Sequence, residues 1–255
     1  MGIIRDTLPI FRTTRLEFVK RVREGGDVTS FCFRRPEELT WKAGQHGLFT
    51  FPERRIRGRS YRVFSIASSP LDETLRIATR IREPMSAFKR HLVELRAGEG
   101  LSMRGPIGPF YIHDPSRPVV LVATGIGITP FLGMVADLRT NRRVLPESVD
   151  LVYGVWGDAF PFRSELEEAV EELPGFAVFP RVAAEEVRGC AREMASLRKN
   201  DGHYFLSGEL RAVRSLRRMW RENGIARSNI LSDWFLGYGS SEGGRGGDRE
   251  TDRAA

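Results

Sequence analysis

The feature that most constrains this chain is a change of hydrophobic period near residue 115. Ahead of it, short segments alternate apolar and polar residues over 27–33, 47–51, 60–66, 74–80 and 101–104. Gly25-Gly26, Pro36, Gly44, Pro52, Pro70 and Gly98 punctuate them. A period of two between turn residues marks half-buried strands, and several short ones in series predict a small antiparallel barrel or sandwich. One helix is expected over 86–95, with Phe88, Leu92 and Leu95 on one face. Beyond Pro118 the pattern becomes strand then helix, repeatedly. Strands are expected over 119–123, 150–155, 176–182, 204–207 and 229–232, and helices over 129–138, 162–173, 186–197 and 210–223. Such alternation implies a parallel sheet covered on both faces. The expected fold is therefore an antiparallel β-barrel domain, 1–113, followed by an α/β parallel-sheet domain, 114–238. A Gly-, Ser- and charge-rich tail, 239–255, is expected to be disordered.

With 255 residues the chain can bury two cores. It has no apolar run of about eighteen residues, so no membrane-spanning helix is expected. Residues 1–15 lack the apolar centre of a secretion signal, and a cytoplasmic location is expected. The two cysteines, Cys32 and Cys190, cannot supply the four or so close ligands of a zinc or iron–sulfur site. They read as structural thiols, and a disulfide is disfavoured in a reducing compartment. The histidines, His46, His91, His113 and His203, are scattered, so no metal site is expected. The net charge of +7 does not select a fold but favours anionic partners. Nucleic acid is disfavoured, because no barrel face interleaves aromatic and basic residues in the manner single strands require.

Two segments carry chemistry. Gly125-Ile126-Gly127-Ile128-Thr129-Pro130 follows a strand and opens a helix. A glycine turn there allows close backbone approach to a phosphate, and the helix start offers free N–H groups; Thr129 suits a cap and Pro130 the first turn. Alone the pattern is weak, and it lacks the third glycine of the Rossmann fingerprint. Arg62-Val63-Phe64-Ser65 lies on a barrel strand, with Arg62 and Phe64 on one face and Ser65 on the other. Arginine can fork onto a diphosphate, an aromatic ring can pack on a planar one, and a hydroxyl can meet a ring nitrogen.

Taken together and in order, these segments resemble the ferredoxin–NADP reductase family, from about Arg15 to Tyr238. Arg62-Val63-Phe64-Ser65 is similar to that family's Arg-x-Tyr-Ser flavin motif, and Ala43-Gly44-Gln45 to the turn before it. Met85-Ser86-Ala87-Phe88-Lys89 occupies the place of a second flavin-diphosphate contact, Gly105-Pro106-Ile107-Gly108-Pro109-Phe110 resembles the barrel end, and Gly125 to Pro130 the nicotinamide-diphosphate loop. The resemblance implies FAD and NADH or NADPH as cofactors. It implies cofactor contacts from Arg62, Val63, Phe64, Ser65, Ser86, Phe88, Lys89, Gly125, Gly127 and Thr129, and catalytic positions for Ser65 and Ser207. There are departures. Phe64 lacks the tyrosine hydroxyl, and Ser207-Gly208-Glu209-Leu210 stands where many members have Cys-Gly-Pro-Pro. Val155-Trp156-Gly157-Asp158 offers no phosphate grip; Asp158 suits ribose hydroxyls instead, which tilts the expectation to NADH, with Arg181 or Arg188 as the alternative grip for NADPH. The resemblance also implies a terminal aromatic covering the flavin, Phe235, Trp234 or Tyr238, with Phe235 counted among the cofactor contacts; the alternative is that Trp234 and Phe235 simply cap the sheet.

The implied activity is hydride transfer from NAD(P)H to FAD, then electron transfer to a separate acceptor, an iron–sulfur or haem protein expected to be acidic. The run Arg54-Arg55-Ile56-Arg57-Gly58-Arg59 reads first as a solvated loop and second as a docking rim; the arginines of helix 210–223 read in the same two ways. The alternative function is a non-catalytic FAD-binding conduit within a larger redox complex.

Overall fold

A computed structural model describes residues 12–141, 145–155, 157 and 159–235. Trp156, Asp158, Tyr238 and the 239–255 segment, all named above, lie outside them.

The first half is a six-stranded antiparallel sheet of β1 (Thr13–Gly25), β2 (Val28–Arg34), β3 (His46–Thr50), β4 (Tyr61–Ser65), β5 (Thr74–Arg80) and β6 (Gly100–Ile107), in the order β4-β3-β6-β1-β2-β5. Inward residues alternate, and Leu16, Phe31, Phe33, Phe49, Leu75, Ile77 and Met103 meet in one core. Helix α1 (Ala87–Glu94) adds Phe88 and Leu92 to that core. The long strand β1 is absent from the sequence-based expectation. Thr14, Leu16 and Phe18 alternate cleanly in it, only two of them apolar; a register shift between Phe18 and Lys20 then breaks the phase, and Val19 and Val22 face outward.

The second half is a five-stranded parallel sheet of β7 (Val119–Thr124), β8 (Val149–Gly154), β9 (Phe176–Arg181), β10 (His203–Glu209) and β11 (Ile230–Phe235), in the order β11-β10-β7-β8-β9. Alternation along β7 sorts its two faces. Val119, Leu121 and Ala123 pack with α2 (Thr129–Thr140) and α3 (Arg163–Glu172), while Val120 and Val122 pack with α4 (Ala184–Arg198) and α5 (Leu210–Glu222). The expected α/β order is present throughout. Cys32 and Cys190 are separate buried thiols. Among the described residues no helix is long and apolar enough to cross a membrane.

The two sheets are joined by a continuous core. Ala43, Ala67 and Phe110 from the barrel side pack with Phe131, Met134 and Val135 of α2. Gly133 permits that approach, since a Cβ there would lie 2.6 Å from the Ile66 carbonyl oxygen. Arg76 on β5 clamps the other end: its Nη1 and Nη2 donate to the Glu165 carboxylate on α3 at 2.7 and 2.6 Å, with side chains 18% and 22% exposed. Removing one partner of a fully buried pair costs roughly 3–5 kcal/mol. Because this pair retains some solvent, Arg76→Ala is expected to cost about 2–3 kcal/mol. Urea unfolding checks this, and a loss below about 0.5 kcal/mol, the scale of an exposed pair, would show that the clamp is idle.

Candidate functional site

The parallel sheet reverses its strand order between β7 and β10. In open α/β sheets the crevice beyond the carboxyl ends at such a reversal is where ligands bind. Here Thr124 ends β7, and Gly125–Ile128 forms a single 3₁₀ turn before α2. Gly125 sits at φ 55°, a left-handed conformation that favours glycine. Gly127 lies against β10, where a Cβ would be 2.3 Å from the Ser207 carbonyl oxygen. The glycine therefore seats the loop on its neighbouring strand, a role the sequence motif did not reveal. Thr129 does not cap α2; its hydroxyl donates to Ile126 O at 3.1 Å, because the 3₁₀ turn already occupies the cap position. Ser207 Oγ and Thr124 Oγ1 are buried and have no hydrogen-bond partner. An unsatisfied buried hydroxyl costs about 1–3 kcal/mol, so two at one crevice are a place where a ligand's polar groups would be welcome.

Across this crevice stands the end of β4. Ser65 Oγ donates to Asp233 Oδ2 on β11 at 3.4 Å, which joins the two sheets. Asp233 is paired in register with Ser207, and Ser65 with His46 at the start of β3. Burial pushes the Asp233 carboxyl above the usual carboxylate range, and His46, the Ser65 hydroxyl and the Trp234 N–H oppose that rise. Burial also holds His46 below the usual imidazole range, with Asp233 pulling the other way. The result is a polar junction of Ser65, Asp233, His46 and Ser207.

The other end of β4 is cationic. Arg62 is only 7% exposed and lies over the Phe88 ring at 5.7 Å; its Nη1 donates to Arg59 O and Tyr61 O, both at 2.9 Å. Lys89 Nζ donates to Arg80 O at 2.7 Å. Burial first, then Arg62, Arg82 and Arg80, pull the Lys89 ammonium down to about 8. Like charges gathered in a partly dry place raise the value of an incoming anion. The start of α1 adds to this, with Ser86 Oγ accepting from Lys89 N at 3.4 Å. The chemistry of this donor set suits a diphosphate.

The structure thus draws the expected residues into two groups. Arg62, Ser86 and Lys89 form the cationic end, with Phe88 as a fully buried support beneath Arg62 and not an exposed ring. Ser65, Ser207, Gly125, Gly127 and Thr129 gather at the crevice. Val63 is 54% exposed, and Phe64 is half-buried against Phe49 and Phe88. Phe235 ends β11 in register with Glu209 and is 36% exposed, while Trp234 is exposed beside it. Asp158 lies outside the described residues. Sequence reasoning missed Asp233, His46 and Thr124 as site members. Asp233 precedes the aromatic pair, and His46 follows the Gly44-Gln45 turn, but nothing local signals that they meet.

No protein-family model matches the chain. The anthranilate 1,2-dioxygenase electron transfer component of Acinetobacter baylyi is 26% identical over 211 residues, 78% of this chain and 60% of that protein. A flavohemoprotein of Deinococcus radiodurans is 28% identical over 177 residues, 68% of this chain and 42% of that protein. The chain thus spans about 60% of the length of the first of these relatives and less of the second. Among solved structures, the ferredoxin–NADP⁺ reductase of Plasmodium falciparum with 2′P-AMP has a TM-score of 0.75 at 16% identity, covering 90% of this chain and 99% of that one. A cytochrome P450 reductase of Amycolatopsis has a TM-score of 0.73 at 21% identity, covering 88% and 70%. Fold and crevice define a two-domain protein of barrel plus nucleotide-type sheet. The chain is thus similar in sequence to electron transfer components and flavohemoproteins, and shares its two-domain fold with ferredoxin–NADP⁺ reductase.

The seating of Gly127 generates an expectation. Gly127→Ala forces backbone to shift against Ser207, at a cost of about 1–3 kcal/mol. Thermal unfolding should show a lowered Tm, and an unchanged Tm would mean the loop yields freely.

Proposed function

We propose that this chain is a flavin-dependent reductase. FAD binds along β4, NADH or NADPH docks at the β7–β10 crevice, and electrons leave to a separate protein acceptor. The observation that carries the reading is the pair of sites at the two ends of one strand. Arg62 and Ser65 are three residues apart on β4, roughly 10 Å along an extended chain. One end is cationic and holds a diphosphate. The other is polar, half-dry and open to the nucleotide crevice, where a flavin ring and a nicotinamide would meet. In the bound state FAD would supply the conversion of a two-electron donor into single electrons.

The residues do the rest. Arg62, Lys89 and the start of α1 neutralise the diphosphate. Phe235 and Trp234, at the exposed end of β11, shield the ring from water. The loop from Gly125 to Thr129 receives the second diphosphate, and the free hydroxyls of Thr124 and Ser207 fix the carboxamide of the nicotinamide. Positioning of the two rings within reach of each other accounts for most of the rate. Nicotinamide choice turns on the rim of β8 and β9. Arg181 ends β9 in register with Gly154, so it is the cation placed for a 2′-phosphate. Arg188 is turned to Ser215 Oγ at 2.8 Å. Val155 is buried and offers no charge, which keeps NADH the favoured donor.

The acceptor is read as an acidic electron-transfer protein in the same cytoplasmic compartment. The relatives that are dioxygenase electron transfer components are named for passing electrons onward. With two cysteines, this chain has no cluster ligands of its own. Arg55, Arg57 and Arg59 are exposed on the loop before β4, whereas Arg54 is taken up by Glu99 at 3.1 Å.

Anaerobic titration of the purified, FAD-loaded chain tests the activity. NADH should bleach the flavin absorbance at least as readily as NADPH, and Arg62→Ala should weaken FAD binding about ten- to hundredfold. Failure of both nucleotides to bleach it would sink the reading. The acceptor has its own test. Reduction of an acidic ferredoxin should slow as salt shortens the Debye length from about 10 Å at 0.1 M to about 3 Å at 1 M, while a neutral dye responds little. Identical salt curves for both would remove the charged docking surface.

A further inference from the structure

The loop that follows β8 is held by the other domain. Residues 159–162 lead into α3, and Phe162 closes that stretch at φ 63°, a left-handed conformation that a bulky side chain rarely adopts. Its side chain is buried. Backbone of this kind persists only where its surroundings over-determine it, and such residues gather at ligand sites. Here the barrel supplies the surroundings. The Phe162 N–H donates to Glu24 O of β1 at 3.3 Å. The Arg76 guanidinium of β5 lies over the Phe162 ring at 5.8 Å. The turn between β1 and β2 rests on the same loop: a Cβ at Gly25 would lie 3.5 Å from Pro161 Cα, and one at Gly26 would lie 3.0 Å from Ala159 Cβ. From the sheet side, Tyr153 of β8 packs on Phe160 with ring centres 5.6 Å apart.

The turn is pinned in its own domain by Asp27, the residue that follows it. Arg80 Nε donates to both Asp27 carboxylate oxygens, at 3.1 and 2.9 Å, and the Ile81 N–H donates to Asp27 O at 2.6 Å. The Arg80 and Asp27 side chains are 33% and 28% exposed, so the ion pair itself adds little stability. What a charge-assisted hydrogen bond adds here is direction. Arg80 O also accepts from Lys89 Nζ at the cationic end of the flavin region. The end of β5 therefore borders both cofactor regions.

We propose that the flavin barrel shapes the nucleotide rim of the parallel sheet, and that Asp27, held by Arg80, is the positioning residue that fixes the loop after β8 for the adenosine end of NADH or NADPH. The proposal rests on the nucleotide-docking reading above. Binding to a loop already in its bound shape avoids the cost of ordering it. Loosening the loop therefore weakens nucleotide binding. It leaves the hydride step nearly untouched, because that step belongs to the nicotinamide end, between Ser65 and Ser207.

The test has two arms. In the first, amide hydrogen exchange at Phe162 is followed in the chain without nucleotide, for the wild type and for Asp27→Ala. Exchange should speed about fivefold or more in the variant, since the turn that seats the loop is released. An unchanged rate overturns the proposal. In the second arm, NADH oxidation by the FAD-loaded chain is measured with a neutral dye as acceptor. Asp27→Ala should raise KM about fivefold or more and change kcat by less than about twofold. A KM equal to that of the wild type overturns the positioning role even if exchange quickens, and so does a fall in kcat with KM unchanged. Should Asp27→Ala not fold, Asp27→Asn, which keeps one acceptor oxygen for Arg80, is read in the same two arms. Faster exchange at Phe162 in a chain whose flavin NADH cannot reduce supports the barrel's hold on the loop and sinks the hydride reading instead.

Discussion

Everything at the candidate site depends on how closely helix α2 can lie against the barrel. Gly133 sets that distance, because any side chain would meet the Ile66 carbonyl. The approach lets Phe131, Met134 and Val135 complete a core with Ala43, Ala67 and Phe110. It also brings the end of β4 to the end of β11, and without it Ser65 could not reach Asp233. Two domains that merely touched would leave a wet gap there, where the Ser65–Asp233 contact would be worth little. Close packing removes the water and lets a few polar groups act strongly on one another.

That dryness has a cost. Asp233, His46, Ser207 and Thr124 are polar groups in a place a stable core would fill with carbon. Ser207 and Thr124 lack hydrogen-bond partners, and Asp233 and His46 are pushed away from their charged forms. The cationic end of β4 repeats the pattern, with Arg62, Arg80 and Lys89 held near one another in partial burial and Arg82 exposed beside them. Stability lost in this way is recovered by the cores on either side and by the Arg76–Glu165 clamp. Local frustration surrounded by consistent packing is the usual signature of a functional region.

Much of this architecture was legible in the chain. The change of period near residue 115 separated barrel from sheet, and every helix and strand of the second half fell where periodicity put it. Strand β1 was not legible, because a bulge after Phe18 and the charged residues that follow erase its alternation. The motif residues Arg62, Ser65, Gly127 and Ser207 stood out because their types and order resemble a known family. The function of Gly127 did not, since only the position of β10 shows that its missing side chain makes room for Ser207.

By itself the sequence determined the local conformations, the faces that are buried and the side chains whose chemistry makes them candidates to meet a diphosphate. These follow from short-range periodicity and side-chain chemistry, which a chain carries wherever it goes. Only the tertiary structure decided that Ser65 and Asp233, 168 residues apart, would share a hydrogen bond, and that His46 would stand beside them. That meeting depends on the register of β10 with β11, the pairing of β3 with β4 and the closeness of α2 to the barrel. None of these is a property of any one segment; each is the joint outcome of packing two cores into contact.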